Sequence, residues 1–196
     1  MGAGRAVFLD RDGTLVEEIE YLTRTQDMRI LPGAFQAVTR INESGRLAVV
    51  VTNQSAVARG LLSEEAVREL HEVLSAAFAR EGARIDAFYY CPHHPEAGGE
   101  PYRRACRCRK PSPGLLLQAA RELDLDLAAS HMIGDKRLDV EAGHRAGCTS
   151  LLVRTGYGRQ TWDRLRQNGS VDPLCRPDFV ADGVLQAVEW ILEGIS

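Results

Sequence analysis

The chain has 196 residues, of which 44% are hydrophobic and 26% are charged, and its formal net charge at pH 7 is -3. This length and composition are typical of one folded domain, here taken as residues 1–196, and they exclude a chain that is disordered in bulk. The acidic balance argues against nucleic-acid partners, and no apolar run approaches the roughly 20 residues of a membrane span.

The N-terminal residues, 1–5, lead directly into the first apolar run and carry no secretory signal pattern. We therefore expect a cytoplasmic protein with no membrane partner. No strong surface patch indicates assembly, so we expect a monomer. Three of the five cysteines are packed among histidine and arginine, and in a cytoplasmic chain this pattern indicates metal ligands rather than disulfides.

The first apolar run, Ala6–Leu9, ends in two aspartates two positions apart, Asp10 and Asp12, followed by Gly-Thr. A short apolar run bounded by a glycine turn predicts a buried parallel strand. Side chains at i and i+2 of an extended segment point the same way, so the two carboxylates converge where α/β sheets bind ligands. Two close carboxylates repel unless a cation or a proton lies between them. The pair predicts a metal site, an acid/base pair or both, with a solvated turn as the alternative.

Further strand-like and helix-like runs alternate along the chain. Apolar runs at 47–51, 87–90, 131–133 and 149–153 predict strands, and periodic patterns at 33–43, 63–80, 113–123, 137–146 and 184–192 predict helices. Alternation of this kind predicts an α/β fold with a doubly wound parallel sheet.

Two connections, 17–31 and 92–111, are long and show no clear periodicity. Unstructured loops of this length in a compact domain are usually functional. Neither is long enough to fold into a separate cap domain, so we expect a pocket that is built from loops.

Three more short motifs follow the first aspartate motif in chain order. Val51 runs into Thr52, Lys110 stands before a predicted helix, and Gly134 and Asp135 follow a short predicted strand. Together, over about residues 5–155, the four motifs resemble those of the haloacid-dehalogenase-like (HAD) phosphatases.

This resemblance implies a role for each motif residue. Asp10 would be the nucleophile that forms an aspartyl-phosphate, and Asp12 would be the general acid and base. Thr52 and Lys110 would bind the phosphoryl group. A catalytic Mg²⁺ would be held by the carboxylates of Asp10 and Asp135 and by the backbone carbonyl of Asp12.

The second long connection contains a cluster of cysteine and histidine. Cys91 and His93 are followed after twelve residues by Cys106 and Cys108, and these four residues have the composition of a closed structural Zn²⁺ site. We call residues 91–108 the zinc loop. Free cysteines in an exposed loop are the alternative, and the adjacent His94 could compete as a ligand. A loop fixed by zinc would hold the two cations that follow it in the chain, Arg109 and Lys110, over the mouth of the pocket.

Within the HAD phosphatases, the pattern Cys-Pro-His-His-Pro with a later Cys-x-Cys-Arg-Lys-Pro resembles the D-glycero-D-manno-heptose 1,7-bisphosphate 7-phosphatases. The runs at 51–55, 134–136 and 153–156 resemble the same family. The resemblance implies a small-molecule sugar bisphosphate as substrate and a product used in nucleotide-heptose and lipopolysaccharide core synthesis. The implied substrate-binding residues are Arg11, Glu18, Ile19, Glu20, Tyr21, Thr52, Asn53, Gln54, Ser55, Arg109 and Lys136.

Several alternatives stay open from the sequence. Histidinol phosphate or another small phosphomonoester could be the substrate. The non-enzymatic alternative is a binding module that is stabilised by zinc and has no catalytic activity. Lys136 could be a surface residue or could orient a carboxylate instead of binding substrate. The sequence does not distinguish the α from the β anomer, or lipopolysaccharide core from another heptose glycan.

Overall fold

The computed structural model describes residues 3–167 and 172–194. Residues 1–2, 168–171 and 195–196 lie outside the described residues. They include the start of the N-terminal segment, 1–5, and both ends of the predicted 1–196 domain. Within the described part, six strands form one parallel sheet in the order β3-β2-β1-β4-β5-β6. The strands are β1 (Ala6–Leu9), β2 (Leu47–Asn53), β3 (Ala87–Cys91), β4 (His131–Gly134), β5 (Thr149–Val153) and β6 (Phe179–Ala181).

Helices cover both faces of the sheet. They are α1 (Ala34–Glu43), α2 (Ser55–Ala58), α3 (Glu64–Arg80), α4 (Gly114–Leu123), α5 (Arg137–Ala146), α6 (Gly158–Gln167) and α7 (Val184–Glu193). No helix among the described residues is both long and apolar enough to cross a membrane.

Side chains along each strand point alternately to the two faces of the sheet, which divides the core into two layers. Val7 and Leu9 pack into the layer under α1, α3 and α7, whereas Phe8 between them packs into the opposite layer with Leu116 of α4 and Met132. Successive side chains of a strand point to opposite faces, so a central strand must be apolar at every position to bury both. The predicted doubly wound parallel sheet is therefore confirmed.

Three elements were not predicted from the sequence: α2, α6 and β6. The α6 sequence is strongly polar, with Trp162 and Leu165 as its large apolar side chains, so it contains no apolar run that would mark it as a core helix. β6 has three residues at the sheet edge, and α2 is a single turn. The first long connection contains a short 3-10 helix, Thr25–Asp27.

The connectivity determines where a ligand can bind. The chain moves from β1 outward through β2 to β3, then returns to place β4 on the other side of β1. This reversal opens a crevice beyond the carboxyl ends of β1 and β4, which is the usual binding position in open α/β sheets. Asp10 and Asp135 are the residues that directly follow these two strands.

Candidate active site

Three buried carboxylates meet at the ends of the central strands. Oxygen atoms of Asp10, Asp135 and Asp139 all lie within 4.8 Å of one another. Asp139 comes from the first turn of α5, where its Oδ2 also accepts a hydrogen bond from the backbone N–H of Lys136 at 2.9 Å. From the sequence, the Asp12 carbonyl was predicted as the third metal ligand, and Asp139, one helical turn after Asp135, as a supporting carboxylate. The structure brings the Asp139 carboxylate into the cluster.

Lys110 is the cation at the centre of this group. Its Nζ lies 2.9 Å from Asp10 Oδ1 and 2.7 Å from Asp139 Oδ1, and it donates to the Val51 carbonyl at 2.8 Å. The residue is 2% exposed. Asn53 fixes its backbone, because the side-chain amide donates to the Lys110 carbonyl and accepts from its N–H, both at 3.1 Å.

Charge and burial shift the pKa values of Asp10 and Lys110 in opposite directions. Burial alone would raise the pKa of Asp10, but the positive charges of Lys110 and Lys136 outweigh it and hold the pKa below its ordinary value. Burial would lower the pKa of Lys110, whereas Asp10 and Asp139 raise it, and the net shift is upward. Asp10 is therefore an ionised carboxylate, as an oxygen nucleophile must be.

Asp135 is crowded by charges of its own sign. Burial raises its pKa to about 8, the nearby Asp10 and Asp139 add to the rise, and Lys136 opposes it. Its Oδ2 accepts from the Tyr157 N–H at 2.8 Å, but its buried Oδ1 has no hydrogen-bond partner among the described residues. Crowded carboxylates with an unsatisfied oxygen are the donor set that a hard divalent cation such as Mg²⁺ prefers.

Two glycines bring backbone close to Asp135. A Cβ on Gly13 would lie 2.3 Å from Asp135 Oδ2, and one on Gly156 would lie 2.4 Å from the same atom. Both glycines also have positive φ, of 83° and 51°. Any larger residue would therefore displace the carboxylate.

Asp12 lies apart from the carboxylate cluster. Its carboxylate accepts hydrogen bonds from Arg11, at 2.9–3.1 Å, and from Gln54 Nε2 at 3.0 Å. The same Gln54 nitrogen donates to Thr52 Oγ1 at 2.9 Å. The Arg11 guanidinium is thus engaged by protein groups, although sequence reasoning assigned it to substrate.

A cavity of about 270 Å³ opens above these residues. It is lined by all the residues predicted to bind substrate, namely Arg11, Glu18, Ile19, Glu20, Tyr21, Thr52, Asn53, Gln54, Ser55, Arg109 and Lys136. Asp10, Asp12 and Lys110 line it as well. Their contacts with a substrate stay predictions.

Four lining residues were missed from the sequence: Leu22, Ala56, Leu138 and Tyr157. Leu22 and Ala56 directly extend runs that had been assigned to the pocket. Tyr157 directly follows the 153–156 motif, so that motif was the signal that could have found it. Tyr157 faces Lys136, whose Nζ is 5.1 Å from the ring centre.

An ion pair spans one side of the cavity. Lys136 Nζ lies 2.5 Å from Glu18 Oε2, so the first long loop, 17–31, is tied to the start of α5. Burial raises the pKa of Glu18 even though Lys136 opposes the shift. Glu20 is exposed where it borders the cavity.

Three thiols and one imidazole lie close together in the zinc loop. The sulfur atoms of Cys91, Cys106 and Cys108 are 3.2–3.5 Å apart, and His93 Nδ1 is 3.4 Å from Cys108 Sγ and 3.7 Å from Cys91 Sγ. Ligands of one tetrahedral Zn²⁺ with Zn–S of about 2.3 Å are separated by roughly 3.8 Å, so the cluster is close to that size. Hydrogen bonding from Cys91 lowers the pKa of Cys108 to about 5.

His94 does not join this cluster. Its Nδ1 accepts from the backbone N–H groups of Glu96 and Ala97, at 3.1 and 2.9 Å. The other two cysteines, Cys148 and Cys175, are buried elsewhere in the fold.

The zinc loop is connected to the cavity through Arg109. The Arg109 guanidinium donates to the carbonyl of His93 at 3.0 Å, and the residue lines the cavity. Tyr102 of the same loop donates to Glu64 of α3 at 2.8 Å, and Tyr90 of β3 donates to the other Glu64 oxygen at 2.7 Å. The loop is therefore tied both to the body of the fold and to a cation of the pocket.

Known proteins resemble this chain over most of its length. The HAD-hydrolase-like family model matches residues 107–187. The chain is 46% identical over 152 residues to the D-glycero-beta-D-manno-heptose-1,7-bisphosphate 7-phosphatase of Photorhabdus laumondii, covering 77% of this chain and 81% of that protein. It is 42% identical over 190 residues to the D-glycero-D-manno-heptose-1,7-bisphosphate 7-phosphatase of Thermosynechococcus vestitus, covering 95% and 94%.

A solved structure is also similar. The D,D-heptose 1,7-bisphosphate phosphatase from B. bronchiseptica, complexed with magnesium and phosphate, has a TM-score of 0.83 at 34% identity. The similarity covers 97% of this chain and 99% of that one.

Proposed function

The chain belongs to the D-glycero-D-manno-heptose-1,7-bisphosphate 7-phosphatase family of HAD-like phosphomonoester hydrolases, and we propose that it removes the 7-phosphate of D-glycero-D-manno-heptose 1,7-bisphosphate. The observation that carries this proposal is the buried Asp10–Lys110 ion pair beside a cavity that two further cations, Arg109 and Lys136, also line. A bisphosphate has one anion for Lys110 at the nucleophile and a second anion for the outer cations.

In the first half of the reaction, a carboxylate oxygen of Asp10 attacks phosphorus and the bond from phosphorus to the sugar oxygen breaks. Asp12 gives its proton to the departing alkoxide, which leaves as the sugar hydroxyl. The product on the enzyme is an aspartyl-phosphate at Asp10.

In the second half, the Asp12 carboxylate takes a proton from a water molecule as that water attacks the phosphorus of the aspartyl-phosphate. The bond between phosphorus and the Asp10 oxygen breaks, inorganic phosphate is released, and Asp10 is again a carboxylate. Asp12 ends protonated and ready for the next substrate, so protons balance over the cycle.

Lys110 and Thr52 stabilise the phosphoryl oxygens during both steps. The Lys110 ammonium is already fixed between Asp10 and Asp139, so little reorganisation is needed when the phosphate arrives. Thr52 Oγ1 accepts from Gln54, which leaves its own hydroxyl proton for a phosphoryl oxygen.

We propose that Asp10, Asp135 and the Asp12 carbonyl hold the catalytic Mg²⁺, with Asp139 holding Lys110 beside them. The support is the crowded carboxylate set, in which Asp135 Oδ1 has no hydrogen-bond partner and only the Lys136 ammonium 3.5 Å away, together with the magnesium named for the similar solved structure. When bound, the ion offsets the repulsion between the Asp10 carboxylate and an anionic phosphate.

We propose that Cys91, His93, Cys106 and Cys108 hold a structural Zn²⁺. All four positions are filled by protein atoms, which leaves none for a reacting water molecule. The role that follows from the Arg109–His93 hydrogen bond is to fix Arg109 at the pocket. The family resemblance further implies a product used in nucleotide-heptose synthesis, for lipopolysaccharide core or another heptose glycan.

A phosphate-release assay tests the proposal. Heptose 1,7-bisphosphate, as both anomers, and histidinol phosphate are each supplied with Mg²⁺ and after chelation of divalent ions. We expect the highest kcat/KM with a heptose bisphosphate, and release only with Mg²⁺. Faster hydrolysis of histidinol phosphate would contradict the substrate assignment, and no release from any ester would favour the binding-module reading.

A further inference from the structure

The Asp12 carboxylate lies at the cavity end of a chain of side chains that leads into the buried core. Arg11 donates to both of its oxygens, through Nε and Nη2, and Arg11 Nη2 also donates to Gln54 Oε1 at 3.0 Å. Gln54 returns a hydrogen bond to Asp12 Oδ2. Arg11 and Gln54 thus form a closed ring with the carboxylate that must hand over and accept a proton.

The remaining guanidinium nitrogen has a partner outside the catalytic motifs. Arg11 Nη1 lies 3.4 Å from Nε2 of His71, a residue of α3. A guanidinium has donors and no acceptor, so the imidazole must accept here and carry its ring proton on Nδ1. Arg11 is 1% exposed, and a buried guanidinium without a partner at one nitrogen would carry a large desolvation cost.

The surroundings of His71 keep the imidazole neutral and in place. Burial and then the charge of Arg11 lower its pKa to about 3. Its ring stacks on Phe88 of β3, with centres 4.6 Å apart and planes 15° apart, and meets the edge of Tyr90 at 5.7 Å. The imidazole is held between α3 and β3, with 5% of the residue exposed.

We propose that His71 is a positioning residue for proton transfer by Asp12, acting through the Arg11 guanidinium. The inference rests on the proposed phosphatase function. His71 is not among the residues that line the cavity, but it fixes the rotamer of Arg11, and Arg11 fixes the direction of the Asp12 carboxylate. A misplacement of about 1 Å at a catalytic group can cost about a hundredfold in rate.

Two aryl esters separate this role from a merely structural one. Phenyl phosphate and p-nitrophenyl phosphate differ only by a para nitro group, and phenolate is the more basic leaving group and depends more on the proton from Asp12. Their kcat/KM values report the steps through leaving-group loss, so the common hydrolysis of the aspartyl-phosphate does not enter.

The experiment compares wild type, His71→Leu and His71→Gln on both esters. Leu fills a similar space without an acceptor, whereas the Gln amide oxygen can accept from Arg11. We expect His71→Leu to lower kcat/KM for phenyl phosphate by about 10 to 100-fold and for p-nitrophenyl phosphate by about threefold or less. His71→Gln should stay within about threefold of wild type on both esters.

Equal losses of His71→Leu on both esters, or no loss on either, would overturn the proposal and leave His71 as a core residue. If the Leu variant does not fold, His71→Asn replaces it, because the shorter amide cannot reach Arg11 and should show the same selective loss. Wild-type enzyme that releases phosphate from neither the aryl esters nor heptose 1,7-bisphosphate would instead remove the proposed function, a result distinct from either pattern in the variants.

Discussion

At the scale of single residues, the site contains more buried carboxylates than ammonium groups. Asp10, Asp135 and Asp139 are buried together, and Lys110 and Lys136 are the two ammonium groups beside them. The three carboxylates outnumber the two ammonium groups, and burial, with added repulsion from Asp10 and Asp139, raises the pKa of Asp135 to about 8. A divalent cation would relieve the excess, which is the physical reason to expect a metal here.

Asp10→Asn tests the nucleophile. An amide can neither attack phosphorus nor bind Mg²⁺ well, so we expect turnover to fall by at least about a thousandfold while the fold persists. Single-turnover assays and circular dichroism measure the two effects. Asp163→Asn, the same change at an exposed position of α6, is the matched control. Turnover of the Asp10 variant near wild type would remove Asp10 from the mechanism.

We expect substitutions of the neighbouring residues Arg109 and Lys110 to lower kcat/KM in different ways. Arg109 is bound to the zinc loop and lines the cavity, so Arg109→Met should lower kcat/KM for the heptose bisphosphate by about 10 to 1,000-fold and affect p-nitrophenyl phosphate much less. Lys110→Met should damage both substrates, because Lys110 contacts the nucleophile itself.

Steady-state kinetics of the two variants on the two substrates give the comparison. Both variants carry the same replacement, so differences between them come from position. Equal losses on both substrates for Arg109→Met would contradict the recognition role and weaken the assignment of a bisphosphate.

At the scale of elements, sequence patterns predicted the parts that carry strong periodicity. β1 and β2 are continuous apolar runs, and α3 keeps its apolar side chains Val67, Leu70 and Leu74 on one buried face. The polar α6 and the three-residue β6 carry too few apolar side chains to be recognised.

The site was predictable to the extent that its residues end predicted strands. Asp10, Thr52 and Asp135 are such residues, and strand geometry brings them to one edge of the sheet. Contacts that depend on loop paths were not predictable. The ion pairs of Asp139 with Lys110 and of Arg11 with Asp12 are examples. Helical spacing placed Asp139 near the site as a supporting carboxylate, but neither spacing nor composition encodes its partner.

The zinc loop gives a test at this scale. We expect about one Zn²⁺ per chain in protein purified without added metal, since three thiols and an imidazole complete a closed set. Cys106→Ser should lose most of that zinc and lower both thermal stability and activity. Elemental analysis and thermal unfolding measure these changes.

Cys148→Ser is the control for the zinc prediction, because it makes the same chemical change at a buried thiol outside the cluster. Its zinc content should match that of wild type. A fully active wild-type preparation without zinc would falsify the structural site.

At the scale of the whole molecule, the stability of the folded chain depends on pH through a buried imidazole, that of His71. In the folded chain, burial and then Arg11 lower the pKa of His71 from 6.5 to about 3. Between these values a proton binds His71 only in the unfolded chain. The contribution to stability is fully present above about pH 6.5 and is lost as the pH falls toward about 3.

His71→Gln removes this titration without removing the hydrogen-bond acceptor. The free energy of unfolding of wild type should fall between pH 7 and pH 5 by about 2 kcal/mol more than that of the variant. Urea unfolding of both proteins at the two pH values, at fixed metal concentration, measures the difference. Parallel losses in the two proteins would show that His71 does not titrate as its burial requires.

The central claim is that the 7-phosphate of heptose 1,7-bisphosphate is the group transferred to Asp10. The most direct measurement is phosphorus NMR of the bisphosphate during incubation with the enzyme and Mg²⁺. We expect the 7-phosphate resonance to disappear, inorganic phosphate to appear in equal amount, and the 1-phosphate resonance to remain. Loss of the 1-phosphate, or no change in either resonance, would contradict the claim.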